Sequence, residues 1–212
     1  MNILLPDKGN IPVTGPEDPA LFYYKPIMRN FYLKRLALAV GLIDKESKEN
    51  ILDLGYGSGI LLPELSRHSQ KIFGLDSHLN AGPVKKMLKK ENKFAYLASG
   101  DISNLPYRNG IFDCIVCLSV LEHMKNLDSC IDEIVRVARP SGQIIVGVPV
   151  DNFLMSLGFK SMGYNVYDIH KWGHRQIIKA VQNKIKIERL KRFPFFVGLD
   201  YSFYIVLNCR KL

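Results

Sequence analysis

Apolar residues fall into two rhythms along the chain. Between Ile27 and Val40 they recur at helical intervals (Ile27, Met28, Phe31, Tyr32, Leu36, Val40), with Arg29, Lys34 and Arg35 among them, which predicts an amphipathic helix. After Asn50 the rhythm changes to short apolar runs: ILDL (51–54), KIFGL (71–75), FAYLA (94–98), FDCIVCL (112–118) and QIIVGV (143–148). Helical stretches separate these runs, so the pattern predicts successive βαβ units and a mostly parallel sheet. The clearest helix lies between the last two runs, where Ile131, Ile134, Val135 and Ala138 form one stripe. Asp128 is placed to cap its start, and Pro140 and Gly142 to stop it.

The carboxyl-terminal part departs from this alternation. A helix centred on residues 176–181 is followed by KIKIERLKRF (184–193) and SFYIVLNCR (202–210), two extended runs joined by a turn-bearing segment. They are expected to pair antiparallel at the sheet edge, which brings the strand count to seven. At the other end, Pro6, Pro12, Pro16 and Pro19 with Gly9 and Gly15 oppose regular structure. Residues 1–49 are therefore expected to form a mobile or extended arm and a cap helix, and residues 50–212 one α/β domain with helices on both faces of its sheet.

Composition narrows the classes. With 212 residues the chain suits one domain with an appendage and needs no covalent staples. Cys114, Cys117, Cys130 and Cys209 lie in apolar stretches, and no secretory signal is apparent, so a reducing, cytoplasmic setting without disulfides is expected. Cys114 and Cys117 read as CxxC, but positions three apart on a strand face opposite sides and cannot chelate. No apolar run approaches the roughly 18 residues of a membrane span. The net charge of +9 raises the question of nucleic acid, and its distribution answers it in part. Residues 151–212 hold eleven Lys/Arg against four Asp/Glu, whereas Lys85, Lys86, Lys89, Lys90 and Lys93 surround Val84, Met87 and Leu88 as the solvated side of a helix would.

Ligands of open α/β sheets bind beyond the carboxyl ends of the strands, so the residues after each apolar run carry the chemistry. LDLGYGSG (52–59) takes a strand into a helix through Gly55, Gly57 and Gly59, which permit a tight turn and close backbone approach beside Asp53 and Tyr56. The dinucleotide fingerprint is not met, because Ile60 stands where a further glycine or alanine is needed. Asp76, with Ser77 beside it, ends the second strand, where a carboxylate can accept both hydroxyls of a ribose. In SGDISNLPY (99–107), Asp101 can accept from an exocyclic adenine amine, and Ile102 can offer a backbone N–H to a ring nitrogen.

LDLGYGSG, LDS, GDISNLPY, FDCIVCLSVLEHM and ARPSGQIIVGVP, in that order, resemble the motifs of class I S-adenosylmethionine-dependent methyltransferases, in particular the type 11 group. The resemblance covers roughly residues 50–150, and more loosely the tail, whose edge pair is similar to the reversed hairpin of that Rossmann-like fold. Tyr56 departs from the family, which more often has cysteine, alanine or threonine there. The resemblance implies that Gly55, Gly57 and Gly59 wrap the methionine part of S-adenosylmethionine, with Asp53 near its amino group and the backbone at Leu118 near its amino acid end. It assigns Asp76 to the ribose and Asp101 and Ile102 to the adenine, with S-adenosylhomocysteine as the product.

A sulfonium already carries an activated methyl, so few catalytic groups are needed beyond those that align an acceptor. His123, in LEHM after the fourth strand, is the best-placed base, and Glu122 is its neighbour. The resemblance implies that His170 begins a helix and faces the acceptor. His170 and His174 have a spacing that suits two metal ligands on one helical face, but Gly173 interrupts it and only Asp168 offers a third, so no metal site is expected. LSVLEHM stands where many enzymes acting on amide or nucleobase nitrogens carry an Asn/Asp-Pro-Pro-aromatic run, which favours a small-molecule acceptor. Phe22, Tyr23, Tyr24, Phe31 and Tyr32, with Phe153, Leu154, Phe159, Tyr164, Tyr167 and Trp172, would cover an apolar or aromatic acceptor or simply pack their helices. An RNA- or tRNA-directed enzyme and a non-catalytic cofactor-binding module are the alternatives.

Overall fold

The computed structural model describes residues 2–15, 18–150, 152 and 170–211. Phe153, Leu154, Phe159, Tyr164, Tyr167 and Asp168 lie outside the described residues. Seven strands form one sheet: β1 (Lys48–Leu54), β2 (Ser69–Asp76), β3 (Tyr96–Ser99), β4 (Phe112–Leu118), β5 (Ala138–Pro149), β6 (Lys186–Phe193) and β7 (Tyr204–Arg210). Their order is β3-β2-β1-β4-β5-β7-β6. The first five run parallel, and β7 inserts antiparallel between β5 and β6. Reversal of direction after β1, towards β2 on one side and β4 on the other, creates the crevice in which such sheets bind ligands.

Among the described residues five α-helices cover the sheet: α1 (Pro26–Val40), α2 (Leu62–Leu65), α3 (Ala81–Lys90), α4 (Leu127–Val137) and α5 (His174–Lys184). On one face Leu52, Leu54, Ile115 and Val146 pack with Ile131 and Ile134 of α4 and Ile177 of α5. The other face joins Ile51, Cys114, Val116 and Val206 to Leu36 of α1, Leu62 of α2 and Val84 and Met87 of α3. The central strands are buried on both sides, as a parallel sheet between two helical layers requires. Lys85, Lys86, Lys89 and Lys90 lie exposed on α3 while Val84, Met87 and Leu88 are buried, so that cluster is a solvated helix face.

Two details of α4 differ from the sequence reading. Asn126 caps the helix, accepting from the Ser129 N–H at 3.2 Å, because it has the extended backbone that a cap requires. Asp128 already lies in the first turn, where its charge meets the positive end of the helix dipole. The helix also stops before Pro140: Ala138 is extended and opens β5, so Pro140 and Gly142 lie within that strand. Proline disfavours helical backbone in the residue before it, which moves the end upstream.

The amino-terminal arm is extended and held down. Ile3 is buried. Leu4 N–H donates to Glu64 Oε2 at 2.7 Å, and Asp7 N–H and Asn10 Nδ2 both donate to Glu91 Oε1. Asn80 Nδ2 donates to Thr14 O at 2.8 Å. The prolines prevent a helix, and carboxylates beside α2 and α3 satisfy the backbone instead. No helix among the described residues is long and apolar enough to cross a membrane.

Candidate functional site

Beyond Leu54 the chain turns through Gly55, Gly57 and Gly59, all with positive φ (72°, 49° and 77°), a region that L side chains rarely adopt. Two of these glycines serve close packing. A Cβ on Gly55 would meet Val120 Cγ2 at 2.3 Å, and one on Gly59 would meet Val84 Cγ1 at 2.6 Å. Gly57 faces open space, with nothing within 4 Å of the added atom. The turn is fastened to the end of β2: Gly57 N–H donates to Asp76 Oδ2 at 2.8 Å, and the His78 ring contacts Gly57 O at 2.9 Å. Tyr56 packs edge-on to His78.

A cleft of about 640 Å³ opens from this turn, lined by Gly55, Asp76, Ser77, Asp101 and Ile102 together with Val120, His123 and Met124. Asp76 keeps acceptor capacity for a ligand, since a carboxylate has about four lone-pair sites and the protein uses two, for Gly57 N–H and His78 N–H. Asp101 is exposed and accepts from Ser103 N–H at 2.8 Å, the contact that most holds its carboxyl below the usual range. Ile102 is buried beside it.

A second, smaller cavity of about 130 Å³ shares Gly55 and reaches inward past Asp53, Tyr56, Gly57 and Leu118 to Tyr23, Arg35 and Ser119. Asp53 is buried, and burial, followed by the charge of Asp76, pushes its carboxyl up to about 8. Arg35 enters from α1, lying over the Tyr204 ring at 4.6 Å and the Tyr32 ring at 5.0 Å, and donates to Ser119 Oγ. Its buried Nε has no hydrogen-bond partner, and no carboxylate among the described residues pairs with it. A partly buried guanidinium and a buried carboxyl on one small cavity are complementary to a zwitterionic amino acid.

The sequence-predicted residues thus converge, with two exceptions, Gly59 and Glu122. Asp53, Gly55, Tyr56, Gly57, Asp76, Ser77, Asp101, Ile102 and Leu118 all line one of the two cavities, as does His123. Gly59 lines neither; it lets the turn pack on α3. Glu122 is buried within the 3-10 turn Leu121–His123, its Oε1 4.0 Å from His123 Nε2. Of the amino-terminal aromatic residues, Tyr23 reaches the inner cavity, while Tyr32 is buried in a cluster with Phe22, Tyr23 and Phe31. His170 precedes α5 by four residues, so it does not begin that helix as the resemblance implied, and it shares no helical face with His174. His174 instead contacts Asp200 at 3.0 Å. All four cysteines are buried, and burial raises the Cys114 thiol to about 12 and that of Cys117 well above its ordinary value, as for core residues.

Arg35 is the residue that sequence reasoning missed. On an amphipathic helix a basic residue reads as solvated, and its contact with Ser119 joins positions 84 apart. The available signal was the aromatic density of residues 22–32.

This strand order, with a glycine turn between two carboxylates, defines the class I S-adenosylmethionine-dependent methyltransferase fold. Within that class, residues 52–146 match the family model described as a methyltransferase domain. A ubiquinone biosynthesis O-methyltransferase from Sodalis glossinidius is 27% identical over 126 residues, 58% of this chain and 48% of the relative. The chain thus spans about half the length of that curated relative. The N-methyltransferase NodS from Bradyrhizobium japonicum, solved with S-adenosyl-L-homocysteine, is similar in fold, with a TM-score of 0.66, 16% identity and 94% of each chain covered. Geranyl diphosphate C-methyltransferase from Streptomyces coelicolor gives a TM-score of 0.71 at 10% identity, covering 99% of this chain and 90% of that one.

Proposed function

We propose that this protein is an S-adenosylmethionine-dependent methyltransferase that acts on a small-molecule acceptor. One observation carries the reading: a nucleoside-sized cleft bearing Asp76, Asp101 and Ile102 meets, at Gly55, an inner cavity bearing Asp53 and Arg35. The residues fit the cofactor because the orphaned Arg35 Nε and the buried Asp53 carboxyl match its carboxylate and ammonium groups, and the open side of Gly57 leaves room for it. Bound there, S-adenosylmethionine supplies an activated methyl group.

The chain's own residues then have separable tasks. Asp76 accepts from ribose hydroxyls, Asp101 and the Ile102 backbone receive the adenine, and the Leu118 backbone with Arg35 and Asp53 fixes the amino acid end. His123 lines the same cleft, with Glu122 beside it, and is the candidate to receive an acceptor's proton. The small-molecule preference is supported by LSVLEHM after β4 and by the Sodalis relative, a ubiquinone biosynthesis O-methyltransferase. The carboxyl-terminal basic excess does not favour RNA, since Arg175, Lys184, Arg189 and Arg210 all lie in ion pairs with Asp or Glu.

Calorimetric titration with S-adenosylhomocysteine is expected to give saturable one-to-one binding, weakened about tenfold or more in Arg35→Gln through loss of a charge-assisted bond. Absence of binding at high micromolar concentration would remove the cofactor assignment. Incubation with methyl-labelled cofactor and a fractionated cell extract then separates an enzyme, which labels a small molecule, from a binding module, which labels nothing.

A further inference from the structure

We propose that Glu122, His123 and His170 form a binding site for one divalent transition-metal ion at the acceptor side of the cleft. Each residue offers one ligand atom, and all three atoms lie within 4.8 Å of one another. Ligands held at about 2.1 Å by a tetrahedral ion sit about 3.4 Å apart, so ring and carboxylate rotations that move the atoms by about 1 Å close the site. The two imidazole rings already face each other, with centroids 5.2 Å apart.

The placement is built into the backbone. Lys171 N–H and Trp172 N–H both donate to Glu122 O, at 2.7 and 3.3 Å, and the Trp172 indole donates to Met124 O at 2.8 Å. Three hydrogen bonds therefore pin the segment that carries His170 against the turn that carries Glu122 and His123, across nearly fifty residues of sequence. Glu122 is buried, where a carboxylate is stabilised by a neighbouring cation. Two imidazoles and one carboxylate suit Zn²⁺, Mn²⁺ or Fe²⁺ better than the oxygen-seeking Mg²⁺ or Ca²⁺. Three protein ligands leave a position open, as catalytic rather than structural sites do.

His123, Lys125 and Lys171 line the same cleft as Asp76. An ion held there would bind an ionisable acceptor oxygen and promote its deprotonation, with the two lysines favouring the anionic form, and would replace the general-base role of His123, whose ring is then a ligand. This part deepens the methyltransferase reading and rests on it, whereas the metal site itself does not.

The test is titration of the full chain with Zn²⁺ and, separately, Mn²⁺ against a chromophoric chelator, alongside calorimetry with S-adenosylhomocysteine. One equivalent of metal is expected to bind, with affinity lowered at least tenfold in His170→Ala and in Glu122→Gln. His170 is only partly buried and lines neither cavity, so His170→Ala should fold and keep its S-adenosylhomocysteine affinity even if the change at the buried Glu122 perturbs folding. Failure of either ion to saturate at submillimolar concentration, or unchanged metal affinity in His170→Ala, would overturn the site. Metal binding without S-adenosylhomocysteine binding would leave the site standing and sink the methyltransferase reading instead.

Discussion

Asp76→Ala is expected to weaken S-adenosylhomocysteine binding by at least about tenfold, and by about a hundredfold if both ribose bonds are lost, since each charge-assisted hydrogen bond contributes about 1.5 to 3 kcal/mol. A second loss adds to the first. Asp76 Oδ2 also accepts from Gly57 N–H at 2.8 Å, so the alanine variant frees the glycine turn from the end of β2. Asp76→Asn keeps an acceptor for that N–H but removes the charge, and should therefore retain more of the cofactor-free stability while binding almost as poorly. Thermal melts and calorimetry on the three proteins separate the two contributions. An unchanged dissociation constant in Asp76→Ala would take this carboxylate out of the site.

Asp53→Asn should move stability and binding in opposite directions. The folded carboxyl keeps its proton up to about 8, against an ordinary value of 3.8, because burial and then the Asp76 charge oppose its ionisation. The folded protein therefore holds a proton that the unfolded chain releases, and cofactor-free stability falls as pH rises from about 4 to 8, by at most about 1.4 kcal/mol per unit. Asparagine removes that slope, so the variant should melt above the parent at pH 8. Binding responds in the other sense. A ligand ammonium stabilises the ionised carboxyl, so the parent should release close to one proton on binding at pH 7 and bind up to tenfold more tightly per unit towards pH 8. Titrations in buffers of different ionisation enthalpy measure this release; its persistence in the variant would show that another group titrates.

The sheet was legible because each central strand is buried on both faces and reads as an apolar run broken by a single acid, Asp53 in β1 and Asp113 in β4, which is why 112–118 was placed to the residue. Strand ends were harder to read. β1 begins at Lys48 and β2 at Ser69, polar residues recruited by backbone pairing to each other and not by their side chains. Phe94 was expected within β3 but is 68% exposed, and the ladder to β2 starts only at Tyr96. The cofactor side of the site was equally readable, since the glycine turn, Asp76 and Asp101 each follow directly on a strand. Arg35 and the grouping of His170 with Glu122 depend on contacts between distant segments, and no local pattern encodes those.

The two outer strands of the sheet are protected by different means. β3 has four residues, too few to template a long ladder, and β6 presents Lys186, Arg189, Lys191 and Arg192 along KIERLKRF. An incoming strand from another molecule would have to align against that net positive edge, in which Glu188 is the single acid, and displace its water. Positive charge along this edge strand therefore opposes fibrillar association, a task that requires no polyanion at all.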